Sequence, residues 1–178
     1  MKASGKIAFA GVICALSVTC MLLTVIPTME IGLPALAGCL LVVPVIELGV
    51  RYGFLCYATT AALSIFLAPS LESKMLFVVF FGYYPVMKAL IERLRSRILQ
   101  WALKIGLFNI TVCGAYWLLV SVLSMLPKDD FVRFGAYVWA IFILIGNAVF
   151  LIYDIALTRI ISLYLHVLRS HFRKMFHF

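Results

Sequence analysis

KIAFAGVICALSVTCMLLTVIP, residues 6–27, carries one charge, Lys6, at its start. An apolar run of this length crosses a hydrocarbon core of roughly 30 Å as a helix. It exceeds the roughly 7–15 residues of a signal-peptide core, so Lys2 and Lys6 read as an anchor ahead of a retained span. Including this first span, at about 5–27, similar stretches recur at about 32–50, 53–69, 75–91, 104–126 and 134–157. The expected fold class is all-α: a polytopic membrane protein of six transmembrane helices, with both termini cytoplasmic. Residues 1–178 then form a single transmembrane domain that ends in a basic amphipathic tail, 158–178.

The orientation follows from charge. With both ends inside, the cytoplasmic side holds Lys2, Lys6, Arg51, Lys88, Arg93, Arg95, Arg97, Lys104, Arg159, Arg169, Arg173 and Lys174, leaving Lys74, Lys128 and Arg133 outside. Such a division is the positive-inside bias and places a multi-pass protein in the cytoplasmic (inner) membrane. Hydrophobic residues make up 65% of the chain and charged ones 12%, against roughly a quarter charged in soluble domains. The net charge of +8 therefore reads as topology and contact with the anionic lipid bilayer. No nucleic-acid partner is expected, because no basic surface lies clear of the membrane to follow a phosphate backbone.

Several chemistries are disfavoured by what the spacing lacks. Gly5-Lys6 has no preceding phosphate-binding loop, and no HExxH or GxSxG occurs, so an enzyme is not expected. Cysteines 14, 20, 39, 56 and 113 sit inside apolar stretches without a CxxC and read as small apolar residues; no metal and no cofactor are expected. Leu36-Ala37-Gly38-Cys39 has the form of a lipoprotein cleavage box, but an apolar LLVVPVI follows it.

Local signals divide the spans further. Pro34 suits the first turn of the second span, and Pro44 kinks it. Gly49-Val50-Arg51-Tyr52-Gly53 makes a tight inner hairpin. Pro85 interrupts the fourth span, and Lys88 and Glu92 follow it one turn apart. From Ile91 to Lys104 basic and apolar residues alternate, as in an interfacial helix or a continuation of span four. Asp129 and Asp130 are placed to cap the last helix.

Polar residues at depth are the candidates for function. Glu47 and Asp154 lie in the inner halves of spans two and six, where Arg51, and Arg159 or Lys88, are expected partners. Asn109 and Asn147 read first as helix-to-helix hydrogen bonders, with Asn147 also open to solute. Tyr83 and Tyr84 are too deep for an interfacial aromatic belt and precede Pro85, where a distorted helix frees backbone groups. The candidate solute-binding set is Glu30, Glu72, Tyr83, Tyr84, Trp117, Trp139 and Asn147, chosen from depth and chemistry. Ala8, Gly11 and Ala15 form a small-residue stripe suited to close approach of another helix.

In length, in six spans with both ends inside, and in a first helix reading KIAFAGVICALS (6–17), the chain resembles the substrate-binding (S) components of energy-coupling-factor (ECF) vitamin transporters. That family carries an Ala-x-x-x-Ala-type motif on the first helix; here the matching position is Gly11-Val-Ile-Cys-Ala15. The resemblance implies a subunit that binds a vitamin or related small-molecule solute from outside. Its partners would be a transmembrane coupling subunit, docked on that motif, and two ATPase subunits. The alternatives are a six-helix envelope scaffold of the rod-shape-determining type and a proton-coupled carrier using Glu47 or Asp154.

Overall fold

The computed structural model describes residues 3–121 and 128–168, with the side chains of 27, 115–121, 128–140, 142, 167 and 168 outside that description. The described chain is all-helical and divides into two compact units, Met1–Arg93 with Leu157–Phe178, and Leu94–Ala156. Among the described residues, four helical stretches are long and apolar enough to cross a membrane: Ala3–Val25, Val50–Leu67, Leu71–Ile91 and Ile143–His166. Gly32–Leu48 is apolar but shorter.

In the first unit, α1 (Ala3–Leu22) buries Phe9, Ile13, Cys14, Ser17 and Met21. Phe9, Ile13, Ser17 and Met21 recur every fourth position, one stripe of a helix. That stripe packs on α2 (Gly32–Leu40) and α4 (Val50–Leu67), and the Ser17 hydroxyl donates to the Ala37 carbonyl at 3.2 Å. The second apolar stretch is two short helices, α2 and α3 (Val42–Leu48). Pro44 supplies no N–H for the helical bond back to Leu40, and the chain breaks just before it, at Leu41. The turn into α4 is Gly49 alone, at φ 95°, a conformation that side chains disfavour and glycine permits.

The fourth span is also broken. α5 (Leu71–Leu76) starts on Ser70, whose hydroxyl oxygen accepts from the Ser73 N–H at 3.3 Å. It passes into a π turn over Phe77–Phe81, and α6 (Tyr84–Ile91) follows with Pro85 in its first turn. The Gly82 N–H donates to Phe77 O at 2.8 Å, one residue further back than in an α-helix. Val78 O instead accepts from the Tyr57 hydroxyl of α4, at 2.8 Å. The distortion expected ahead of Pro85 is therefore present, with its freed carbonyl satisfied from a neighbouring helix.

The second unit contains α7 (Arg97–Ser121) and most of α8 (Lys128–Leu163). The segment after Ile91 does not continue the helix before it: α6 stops there, Ser96 opens α7, and the helix runs on to Ser121. Ser96 explains the restart, since its hydroxyl oxygen accepts from the Leu99 N–H at 3.5 Å while Gln100 donates to Leu94 O at 2.7 Å. Phe108 and Phe150 stack between α7 and α8 at 4.9 Å, and Gly146 lies beside the Phe108 ring. The end of α8 from Leu157 belongs to the first unit and continues into a π turn, Tyr164–Leu168. The amphipathic rhythm read past the sixth span thus stays helical through 168. Asp129 and Asp130 lie in the first turn of α8, with side chains outside the description.

Candidate functional site

At the C-terminal end of α1, two candidate acids are drawn to one corner. Glu30 closes the short 3-10 turn Pro27–Met29, and its carbonyl accepts from the Ser73 hydroxyl at 2.9 Å. Glu72, the residue before Ser73, is exposed in the first turn of α5, while Glu30 is half-buried. The buried Ser73 thus ties the turn after α1 to the start of the broken fourth span.

Tyr83 and Tyr84 lie just beyond the π turn. Tyr83 is half-buried, with its ring edge-on to Tyr57 at 6.3 Å. Tyr84 is 0% exposed and packs against Phe80 at 5.3 Å. Of this pair, Tyr83 keeps partial access through its ring while its hydroxyl is buried, and Tyr84 belongs to the packed interior. Trp117 is carried by α7 and Trp139 by α8, with side chains outside the description.

In the second unit Asn147 meets Asn109. Each amide donates to the other's oxygen at 3.1 Å, and each also donates to the carbonyl four residues back on its own helix at 2.8 Å. Both N–H groups of each amide are committed, so the pair works as a clamp between α7 and α8. Asn147→Leu is expected to cost about 1 kcal/mol. Adding Asn109→Leu should cost little more, because both changes remove the same contact. Denaturant titration in mixed micelles measures this, and additive losses would refute a shared clamp.

Five residues before Asn109 and seven after Asn147, Lys104 and Asp154 form a buried ion pair, 5% and 3% exposed. The Lys104 ammonium reaches both Asp154 oxygens at 3.1 Å and lies 5.3 Å from the centre of the Trp101 ring. Lys104, read from sequence as a boundary cation, is a partner of Asp154. The antiparallel register implied by an Asn109 to Asn147 contact was the signal for it, since that register brings 104 opposite the region of 154.

Lys88 and Glu47 are also engaged within the first unit. Lys88 is 1% exposed and donates to the Thr158 hydroxyl at 2.8 Å and to Glu92 at 3.0 Å, so the one-turn spacing of Lys88 and Glu92 is realised as an ion pair. The Glu47 carboxylate accepts from the Tyr164 hydroxyl at 3.4 Å.

The stripe on α1 points the other way. Ala8, Gly11 and Ala15 are exposed, and a Cβ at Gly11 would meet no atom within 4 Å. Beside it, Ile7, Ala10, Gly11 and Cys14 of α1 and Tyr52, Leu55, Cys56 and Thr59 of α4 line an open apolar groove of about 240 Å³. All five cysteines are free, and Cys14 approaches the Cys56 carbonyl at 3.7 Å.

Several apolar helices of spanning length define an all-helical, multi-pass membrane protein. Compared with known proteins, the chain matches no family model, no curated protein and no solved structure.

Proposed function

We propose that this protein is the solute-binding membrane subunit of an ECF-type uptake transporter, with six spans and both termini in the cytoplasm. It would bind a vitamin or related small molecule from outside and work with a transmembrane coupling subunit and two ATPase subunits. The observation that carries this reading is the exposed face of α1. Ala8, Gly11 and Ala15 leave its surface flat and open while the opposite stripe is fully used in packing. Small residues permit close approach of another helix, which in a membrane is a main source of association.

The corner where Ser73 joins Glu30 to the start of α5, with Glu72 beside it in sequence, supports a solute entrance at the end opposite Lys6 and Arg51. On the topology read from charge, that side holds Glu30, Glu72, Asp129 and Asp130 against three cations and has no strong field, which suits a neutral or weakly charged solute. Asp154 and Glu47 are engaged by Lys104 and Tyr164, which supports a structural role over proton carriage.

Gly11→Leu with Ala15→Leu is expected to weaken docking of the coupling subunit by about tenfold or more. Since both positions are exposed, thermal unfolding should stay unchanged. Co-purification from the native membrane provides the readout. Recovery of a coupling subunit with two ATPases from the unaltered protein, lost in the double variant, supports the assignment. Recovery of cell-wall synthesis proteins instead would replace it with the envelope-scaffold reading.

A further inference from the structure

The groove between α1 and α4 has a chemical polarity along its length. The two helices run parallel at this contact, since Cys56 approaches Ala10 O while Cys14, one turn further along α1, meets Thr60, one turn further along α4. Lys6 precedes Ile7 and Arg51 precedes Tyr52, so the first lining residue on each helix follows a cation in sequence. Among the described residues neither Lys6 nor Arg51 has an ion-pair partner. Arg51 is exposed and Lys6 half-buried. Beyond them the walls are almost wholly apolar: Ile7, Ala10 and Gly11 face Leu55 and Cys56. From Ile7 to Cys14, and from Tyr52 to Thr59, the lining covers two helical turns, roughly 10 Å at 1.5 Å per residue.

We propose that this groove is a binding site for one anionic phospholipid, its phosphate held by Lys6 and Arg51 and an acyl chain laid along Gly11 and Leu55. The argument is complementarity at both ends. Cations at a membrane edge attract acidic headgroups, at about 1 kcal/mol per Lys or Arg. An apolar channel running away from them suits hydrocarbon and offers nothing to a free phosphate ion. Gly11 leaves the α1 wall open, since an added Cβ there would meet no atom within 4 Å. The charge reading places Lys6 and Arg51 at the cytoplasmic leaflet, where acidic lipids carry the negative surface potential.

The test uses the full chain, purified without partners, so loss of transporter coupling does not affect it. Native mass spectrometry in detergent, with phosphatidylglycerol and phosphatidylcholine of matched chains added in turn, reads the bound lipid. Phosphatidylglycerol is expected to bind about thirtyfold tighter, from two headgroup contacts. Lys6→Gln with Arg51→Gln should abolish the preference, and Gly11→Leu should reduce retention of both lipids. Equal binding of the two lipids, or a preference that survives in the Lys6/Arg51 variant, overturns the proposal. So does displacement of phosphatidylglycerol by millimolar inorganic phosphate, which would mark a simple anion site. If the Lys6/Arg51 variant does not fold, the comparison of lipids on the unaltered chain still decides.

Discussion

Asp154→Ala is expected to destabilise the protein by about 3–5 kcal/mol, the cost of leaving a buried ammonium without its counter-charge. Lys104 is 5% exposed and places its charge between both oxygens of Asp154 at 3.1 Å. Without them the Trp101 ring face at 5.3 Å remains as a cation partner. Such a contact contributes roughly 0.5–2 kcal/mol, too little to offset the desolvation. Lys104→Met with Asp154→Leu should recover most of the loss, because an apolar pair needs neither hydration nor a partner. Equilibrium unfolding in mixed micelles, with exposed Glu72→Gln as a control expected within about 0.5 kcal/mol, makes the comparison. A loss near 1 kcal/mol in the single variant would mean that water reaches the pair and that Asp154 is open to exchange protons. That outcome would revive the carrier alternative.

The same pair shows how far sequence reaches in a chain like this. Apolar runs mark helices because a membrane forces each backbone to satisfy itself, so residues 6–27 and the stretch around 53–69 were legible by length alone. Pro44, Gly49 and Pro85 announced breaks and a turn because their constraints are local. Partner choice is not local. Asp154 has Arg159 and Lys88 among the cations that sequence offers, and only the register of α7 against α8 brings Lys104 to it. Asn109 and Asn147 carried that register, yet read separately they gave two polar positions with no shared consequence. The restart at Ser96 was missed for a related reason: alternating charge from 91 to 104 fits an extension of either neighbour, and one hydroxyl decides between them. Of the candidate solute residues, Glu30 and Glu72 were read in two separate outer loops, and the Ser73 hydroxyl that joins those loops is a contact no spacing announced; the enclosure of Tyr84 likewise depends on aromatic packing that no spacing encodes.

That packing makes Gly82, the one glycine in residues 71–91, hard to replace. Gly82 has φ −73°, open to any residue, so its requirement is room and not conformation. A Cβ there would lie 2.7 Å from the Tyr57 ring, 2.9 Å from the Phe77 ring and 2.9 Å from the Phe77 carbonyl oxygen. The rings have some freedom to move, but the carbonyl is backbone and accepts the Gly82 N–H that defines the π turn. Relief therefore requires opening the turn, and that displaces the Tyr57 hydroxyl from Val78 O as well. Gly82→Val is expected to cost about 3 kcal/mol, the upper part of the usual range for overpacking. Gly11→Ala should be neutral or slightly stabilising, since its Cβ meets nothing and alanine favours the helix by up to about 1 kcal/mol. Tyr57→Ala added to Gly82→Val should restore only part of the loss, because the backbone clash persists when the ring is gone. Complete restoration would place the whole constraint in the Tyr57 ring and leave the π turn free to reform around a side chain. Partial restoration fixes the turn itself as the element that holds Tyr83 half-exposed beside Tyr57 while Tyr84 is turned into the core.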